Sequence, residues 1–263
     1  MFSSFTGQII GSYALYFMFG IYHPITFAGL LAMGYLSYRS LKEHPYYHEV
    51  IKSIGILNPD NTIVAFDLHG VLFKTDPRKI FKLAWQHKKA VWALRYMFYP
   101  RFVYDVSKLI WKKATAEEYI NLAKNKYHGL RPYIPLVIAL ANAQKPIQST
   151  IDFIKTLKAK GYQLHLFSNI GPTLLEPLKK QHQELFSYFD AIKIPSASDK
   201  YLAKPKGIVF KQYMADYNPE NKHVVFIDNN QHNIHAALSA GLIGIQYINP
   251  TQLGRQLELL GMI

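Results

Sequence analysis

The sequence predicts an α/β fold: a Rossmann-like, doubly wound parallel sheet of about five strands, with an α-helical cap insert and a hydrophobic amino-terminal helical segment. Three observations predict it. From residue 60 onward, apolar runs of strand length alternate with segments of helical periodicity. Several of those runs end in a polar residue, where open parallel sheets place their ligands. Between the first and second runs lies a long basic stretch, residues 77–148, that breaks the alternation.

The elements follow in chain order. Residues 1–38 contain no Asp, Glu, Lys or Arg, and His23 is their only titratable side chain. The stretch from Ile9 to Tyr38 is long enough to span a bilayer. Its tyrosines suit a membrane interface, and Gly7, Gly11, Gly20, Gly29 and Gly34 allow close helix packing. His23-Pro24 interrupts it, so one kinked span and a hairpin of two short helices are both open, as is a helical pair packed on the rest of the chain. A cleaved signal peptide fits less well, because no positive region precedes the apolar run. Arg39 and Lys42 follow, and the positive-inside bias then puts the remainder on the cytoplasmic side. A membrane-associated segment over 1–45 is the expectation.

Strands are expected at about 62–67, 163–168, 189–194, 223–228 and 243–248, where apolar runs are bounded by turn residues. Helices are expected at about 149–160, 172–185, 206–217 and 230–240, with Gly161 and Gly241 at left-handed caps. Residues 60–76 and 149–255 then form the α/β core. Residues 77–148 read as helical throughout, a cap over the carboxyl edge of the sheet. On the first insert helix, Ile80, Ala84, Val91, Leu94 and Phe98 share a face that should meet a core. Arg78, Lys82 and Lys89 share another, beside Phe81, Trp85, Trp92 and Tyr99, which suits a membrane interface or an anionic ligand.

Composition narrows the chemistry. With no Cys among 263 residues, disulfides, thiolate zinc sites and Cys nucleophiles are excluded. The net charge is +13, and residues 77–148 alone hold 14 Lys/Arg against 3 Asp/Glu. That field attracts phosphorylated substrates, acidic headgroups or nucleic acid. No nucleic-acid recognition motif accompanies it, so nucleic acid is not the expected partner.

The first strand ends in Asp67, in IVAFDLHGVLF, the second in Ser168-Asn169, and the fourth in Asp228-Asn229. Lys204-Pro205 lies before the helix that leads to the fourth strand. A parallel sheet would gather these groups at one edge. Singly, each has a structural role to play: Asp67 can cap a helix, as can Ser168, and Lys204 can pair with Asp228. Together they suit phosphoryl transfer. Asp67 can act as a carboxylate nucleophile. Asp67 and Asp228 offer hard oxygens to Mg²⁺, while Ser168, Asn169 and Lys204 can bind phosphoryl oxygens.

This constellation resembles the haloacid dehalogenase-like hydrolase superfamily over about residues 60–250. The resemblance implies an aspartate-nucleophile phosphatase. In it Asp67 is the nucleophile, Gly70-Val71 the turn leading to the cap, with Gly70 also at the phosphate, Ser168 the phosphate-binding hydroxyl and Lys204 the charge joining nucleophile to phosphate. Asp228 is the acidic metal ligand, and His69 contributes its backbone carbonyl to Mg²⁺. Asn233-Ile234 and Gly241 fit the helix after the acidic motif. Two positions depart from the pattern. Where relatives carry an acid/base Asp, this chain has His69, a group able to protonate a leaving alkoxide. Where many carry another Asp it has Asn229, which weakens Mg²⁺ binding.

The expected function is a Mg²⁺-dependent phosphohydrolase working through an aspartyl-phosphate at a membrane. Its substrate would be a phosphorylated small molecule, lipid or phosphoprotein. A catalytically weak scaffold of the same fold is the alternative, and carbon–halogen hydrolysis by Asp67 a further one.

Overall fold

The computed structural model describes residues 57–263, apart from 88–92, 94, 97, 112–113 and 219. The expected membrane segment over 1–45 lies outside the described residues. Among those described, no helix is long and apolar enough to cross a membrane.

Five parallel strands build the main sheet in the order β5-β4-β1-β6-β7. Central β1 (Thr62–Phe66) pairs with β4 (Gln163–Phe167) on one side and β6 (His223–Asp228) on the other. Every residue of β1 is buried, as an uninterrupted apolar run between two neighbours requires. The flanking strands are short, β5 (Ala191–Lys193) and β7 (Ile243–Gln246), where longer runs were expected. At the sheet margins fewer neighbours hold the backbone, so an apolar run outlasts its ladder.

Helices cover both faces. On one, Val209, Phe210 and Tyr213 of α8 (Gly207–Tyr217) and Ile234 and Ala237 of α9 (Gln231–Ser239) join Ile63, Ala65, Phe167, Val224 and Phe226 of the strands in one cluster. On the other, α5 (Gln148–Ala159) packs on β4, and α10 (Pro250–Leu259) packs on α5, burying Ile154, Leu157, Leu253 and Leu257. Helix α10 had not been expected. Its signal was present: Asn249 accepts a hydrogen bond from the Gln252 amide at 2.9 Å, with Pro250 opening the first turn.

The segment expected as one helix over 172–185 is two, α6 (Pro172–Gln181) and α7 (Gln183–Ser187). They part at His182, whose ring packs on Phe73 with centroids 4.9 Å apart.

Residues 77–148 are not helical throughout. They hold α1 (Pro77–Gln86), α2 (Pro100–Trp111), α3 (Ala116–Asn125), a 3₁₀ stretch over His128–Tyr133 and α4 (Ile134–Ala141), then the strand β3 (Gln144–Pro146). Strand β3 runs antiparallel to β2 (Phe73–Thr75), pairing Thr75 with Gln144 and Phe73 with Pro146. This two-stranded ribbon is where the insertion leaves and rejoins the core. Three-residue strands are too short for alternation to be read from sequence.

The face expected to meet a core is also revised. Helix α1 ends at Gln86, Ile80 is only half-buried, and Phe98 is 86% exposed. The remaining members of that face, Ala84, Val91 and Leu94, lie outside the described side chains.

Candidate active site

Three strand ends and one loop converge on Lys204. Asp67 follows β1, Ser168 follows β4, and Asp228 closes β6. Asp67 and Ser168 stay in register with the sheet because their amides donate to Ile227 O at 2.8 Å and Lys193 O at 3.1 Å. All four residues are buried. The Lys204 Nζ donates to Asp67 Oδ1 at 3.0 Å, Asp228 Oδ2 at 2.8 Å and Phe167 O at 2.5 Å. It also lies 4.7 Å from the ring centroid of Phe226 and 5.0 Å from that of Phe167. All three ammonium protons are therefore used, and aromatic faces close the remaining sides.

Two negative charges meet one positive charge in a buried place. Burial pulls the Lys204 ammonium down, but the Asp228 and Asp67 carboxylates outweigh it and leave its pKa above the ordinary lysine value. Burial pushes the Asp228 carboxyl up to about 6; Lys204 opposes this and Asp67 adds to it. Asp228 is nonetheless well provided with donors. Its Oδ1 accepts from the Asn230 amide at 2.8 Å, and its Oδ2 accepts from Asn233 Nδ2 at 2.8 Å as well as from Lys204. Asp67 Oδ2 and the Ser168 hydroxyl accept from no described group. These two stand open beside the Lys204 ammonium.

The turn after Asp67 is tight. Gly70 N donates to Phe73 O at 2.7 Å, and the amides of Leu72 and Phe73 both reach Leu68 O at 3.0 Å. Gly70 takes φ +85°, and a Cβ there would stand 2.2 Å from Asn229 Nδ2. So the two positions that depart from the expected pattern, His69 and Asn229, lie on either side of one glycine contact. His69 is drawn down to about 4 by burial, with the Lys204 charge adding to it. Its imidazole is neutral at pH 7, so it offers a hydrogen bond more readily than a proton.

Asn169 also makes a contact that the sequence does not signal. Its Nδ2 donates to Lys204 O at 2.9 Å, and its Oδ1 accepts from Lys204 N at 2.8 Å. The side chain expected to touch phosphate thus clamps the backbone that carries Lys204. Three further residues make contacts that the sequence does not signal, although the resemblance already places Asn233 on the helix after the acidic motif. Asn233 orients Asp228 from five positions along the chain, and Gln144 touches His69 across 75. Glu117 of α3 is buried, receiving the Thr173 amide at 3.0 Å and the Thr173 hydroxyl at 2.5 Å on its carboxylate. Asn and Gln fit many surroundings, and nothing in spacing marks these ones.

The donor set fits Mg²⁺. Among the described residues, no three His, Cys, Asp or Glu side chains come together as a metal cage. Two carboxylates held by the same ammonium, one with an open oxygen, suit instead a hard cation that keeps several waters.

Comparison with known proteins bears on the family and the fold. A model of the haloacid dehalogenase-like hydrolase family matches residues 62–241. Among solved structures, the chain resembles a predicted HAD-like family hydrolase from Porphyromonas gingivalis at 22% identity and TM-score 0.51, covering 74% of this chain and 97% of that one. It resembles a HAD family enzyme from Bacteroides thetaiotaomicron at 19% identity and TM-score 0.50, covering 74% and 94%. An L-2-haloacid dehalogenase from Xanthobacter autotrophicus matches at 18% identity and TM-score 0.48, covering 77% and 83%. Comparison with curated proteins finds no match.

Proposed function

The chain belongs to the haloacid dehalogenase-like hydrolase family, and from that premise we propose that it is a Mg²⁺-dependent phosphohydrolase acting through Asp67. The observation that carries the reading is the Lys204 ammonium between Asp67 and Asp228, with Asp67 Oδ2 and the Ser168 hydroxyl left open beside it. Asp67 attacks phosphorus, forming an acyl-phosphate bond as the bond to the leaving oxygen breaks, and that oxygen takes a proton from water. A second water then attacks phosphorus, the bond to Asp67 breaks, and inorganic phosphate leaves. Lys204 holds Asp67 Oδ1 in place, so Oδ2 is the attacking atom. Ser168 orients a phosphoryl oxygen, and His69 hydrogen-bonds the leaving oxygen. Asp67, Asp228 and the His69 carbonyl would hold Mg²⁺, which neutralises phosphoryl charge when bound.

The membrane setting is part of the proposal. Residues 1–38 carry no fixed charge. In the insertion, Phe81 and Trp85 stack while 59% and 62% exposed, and Trp111 is 91% exposed, all on a strongly basic stretch. Aromatic groups beside cations suit anionic headgroups. The substrate would be a phosphorylated molecule that meets this field, with a lipid phosphate tested first.

A panel of aryl, sugar, nucleotide, lipid and peptide phosphates tests the reading, with Asp67→Asn as the blank. Turnover requiring Mg²⁺ is expected, abolished by chelator and reduced at least 1000-fold in the variant, the range for losing a nucleophile. Undiminished turnover by Asp67→Asn would sink it. The neutral His69 favours a second reading, a phosphate-binding protein of weak activity. A large rate gain in His69→Asp supports that reading; a loss supports a histidine adapted to its place.

A further inference from the structure

Gln144 opens β3, seventy-five residues from His69, yet its Nε2 lies 2.8 Å from His69 Nε2. The same nitrogen lies 2.6 Å from Ala141 O. A carbonyl oxygen only accepts, so the amide nitrogen, and not Oε1, occupies this corner. Turning the amide over would press Oε1 against the Ala141 oxygen. One N–H is spent on Ala141, and the other meets His69 Nε2. That ring atom must then supply a lone pair, which puts the proton of the neutral imidazole on Nδ1. No described group accepts from Nδ1.

The arrangement is unfavourable as plain packing. Gln144 is buried, and its Oε1 has no partner. An unpartnered buried acceptor weakens a fold, whereas a Met in the same space would leave nothing unpaired. What the amide adds is a fixed edge for His69. The backbone carrying it is held on both sides, by pairing with Thr75 in β2 and by Lys79 Nζ, which donates to Gln144 O at 3.1 Å.

We propose that Gln144 is a positioning residue: by donating to His69 Nε2 it holds the imidazole so that Nδ1–H is the edge offered to the substrate's leaving oxygen. The leaving-oxygen part rests on the reading of Asp67 as the nucleophile; the orientation of the ring does not. Because β3 is the strand by which the insertion rejoins the core, the ring keeps this edge only while the ribbon of β2 and β3 is intact.

The test uses the full chain with ¹⁵N-labelled histidine, His69 being assigned by the signal lost in His69→Asn. Two-bond ¹H–¹⁵N spectra at pH 7 should show His69 protonated at Nδ1 and bare at Nε2. Gln144→Met, which keeps the volume and removes the hydrogen bond, should give a mixture of tautomers. Gln144→Glu, which can only accept when ionised, should move the proton to Nε2. Both variants should lower kcat by about 10- to 100-fold, the usual effect of losing an orienting partner, with the inhibition constant for inorganic phosphate unchanged. A proton on Nε2 in the native chain, or a spectrum unaltered in folded Gln144→Met, overturns the proposal. So does a parallel loss of phosphate affinity. If the chain proves to have no phosphatase activity, the enzymatic reading fails by itself, and the spectra still decide what Gln144 does.

Discussion

Removing the Lys204 ammonium would strand two carboxylates in a buried site. Asp67 and Asp228 approach it at 3.0 and 2.8 Å, and its side chain is 1% exposed. The desolvation of those carboxylates is balanced largely by this one cation. Lys204→Met should therefore abolish turnover and also destabilise the fold by about 3–5 kcal/mol, read from urea denaturation. Adding Asp228→Asn to it should recover part of that loss, because the double variant no longer buries an unpaired second charge. Equal losses in the single and double variants would mean that the carboxylates do not depend on the lysine. The gathering of Asp67, Ser168 and Asp228 at one edge was readable because each closes or follows an apolar run, a signal written in the order of residues, while Lys204 lies in the loop before a helix. The place of Asn169 was not readable. Its amide meets the Lys204 backbone 35 residues away, and no local pattern encodes that contact.

At the scale of elements, the insertion is joined to the core by side chains as well as by its ribbon. Glu117, on α3, places its carboxylate at the first turn of α6, where the Thr173 amide would otherwise have no partner. A negative charge there also meets the favourable end of the helix dipole. Gly171, just before α6, is required by this closeness: a Cβ on it would come within 2.5 Å of Glu117. Asn121, one turn further along α3, donates to the Tyr201 hydroxyl at 3.0 Å in the loop that leads to Lys204. Glu117→Ala should cost about 1 kcal/mol, the usual value of a lost helix cap. Amide exchange at Thr173 should quicken, while exchange in β1 stays unchanged. Unchanged exchange at Thr173 would show that the cap is not what holds this turn. The sequence marks α3 as a helix, but which helix Glu117 caps is a matter of how two distant segments meet.

For the folded molecule as a whole, a buried histidine sets an acid limit. His165 lies in β4, its Nδ1 2.7 Å from the Tyr213 hydroxyl of α8, and burial draws its pKa from 6.5 down to about 4. Folding thus favours the neutral ring, and the unfolded chain binds the extra proton first. The contribution is complete above pH 6.5 and is lost as pH falls from 6.5 toward 4. Thermal melts of the native chain should fall more steeply across that window than those of His165→Asn, by roughly 5 °C. Parallel curves would show that His165 is not the titrating group. Nothing in the order of residues marks His165 as facing a tyrosine; that contact exists only once α8 packs on the sheet.

The sequence by itself determined the order of the central strands' apolar runs and the polar residues that close them. Burial on both faces demands uninterrupted apolar runs, and that demand is local. The absence of fixed charge before Arg39 and the basic excess of residues 77–148 are likewise properties of the chain alone. Only the tertiary structure decided that Lys204 spans both carboxylates, that Asn169 clamps its backbone and that Asn233 supports Asp228. It alone brought Gln144 to His69. Apart from Asn233, five residues from Asp228, these are contacts between segments far apart in the chain, and hydrogen-bond geometry exists only once the sheet and the β2–β3 ribbon have brought them together.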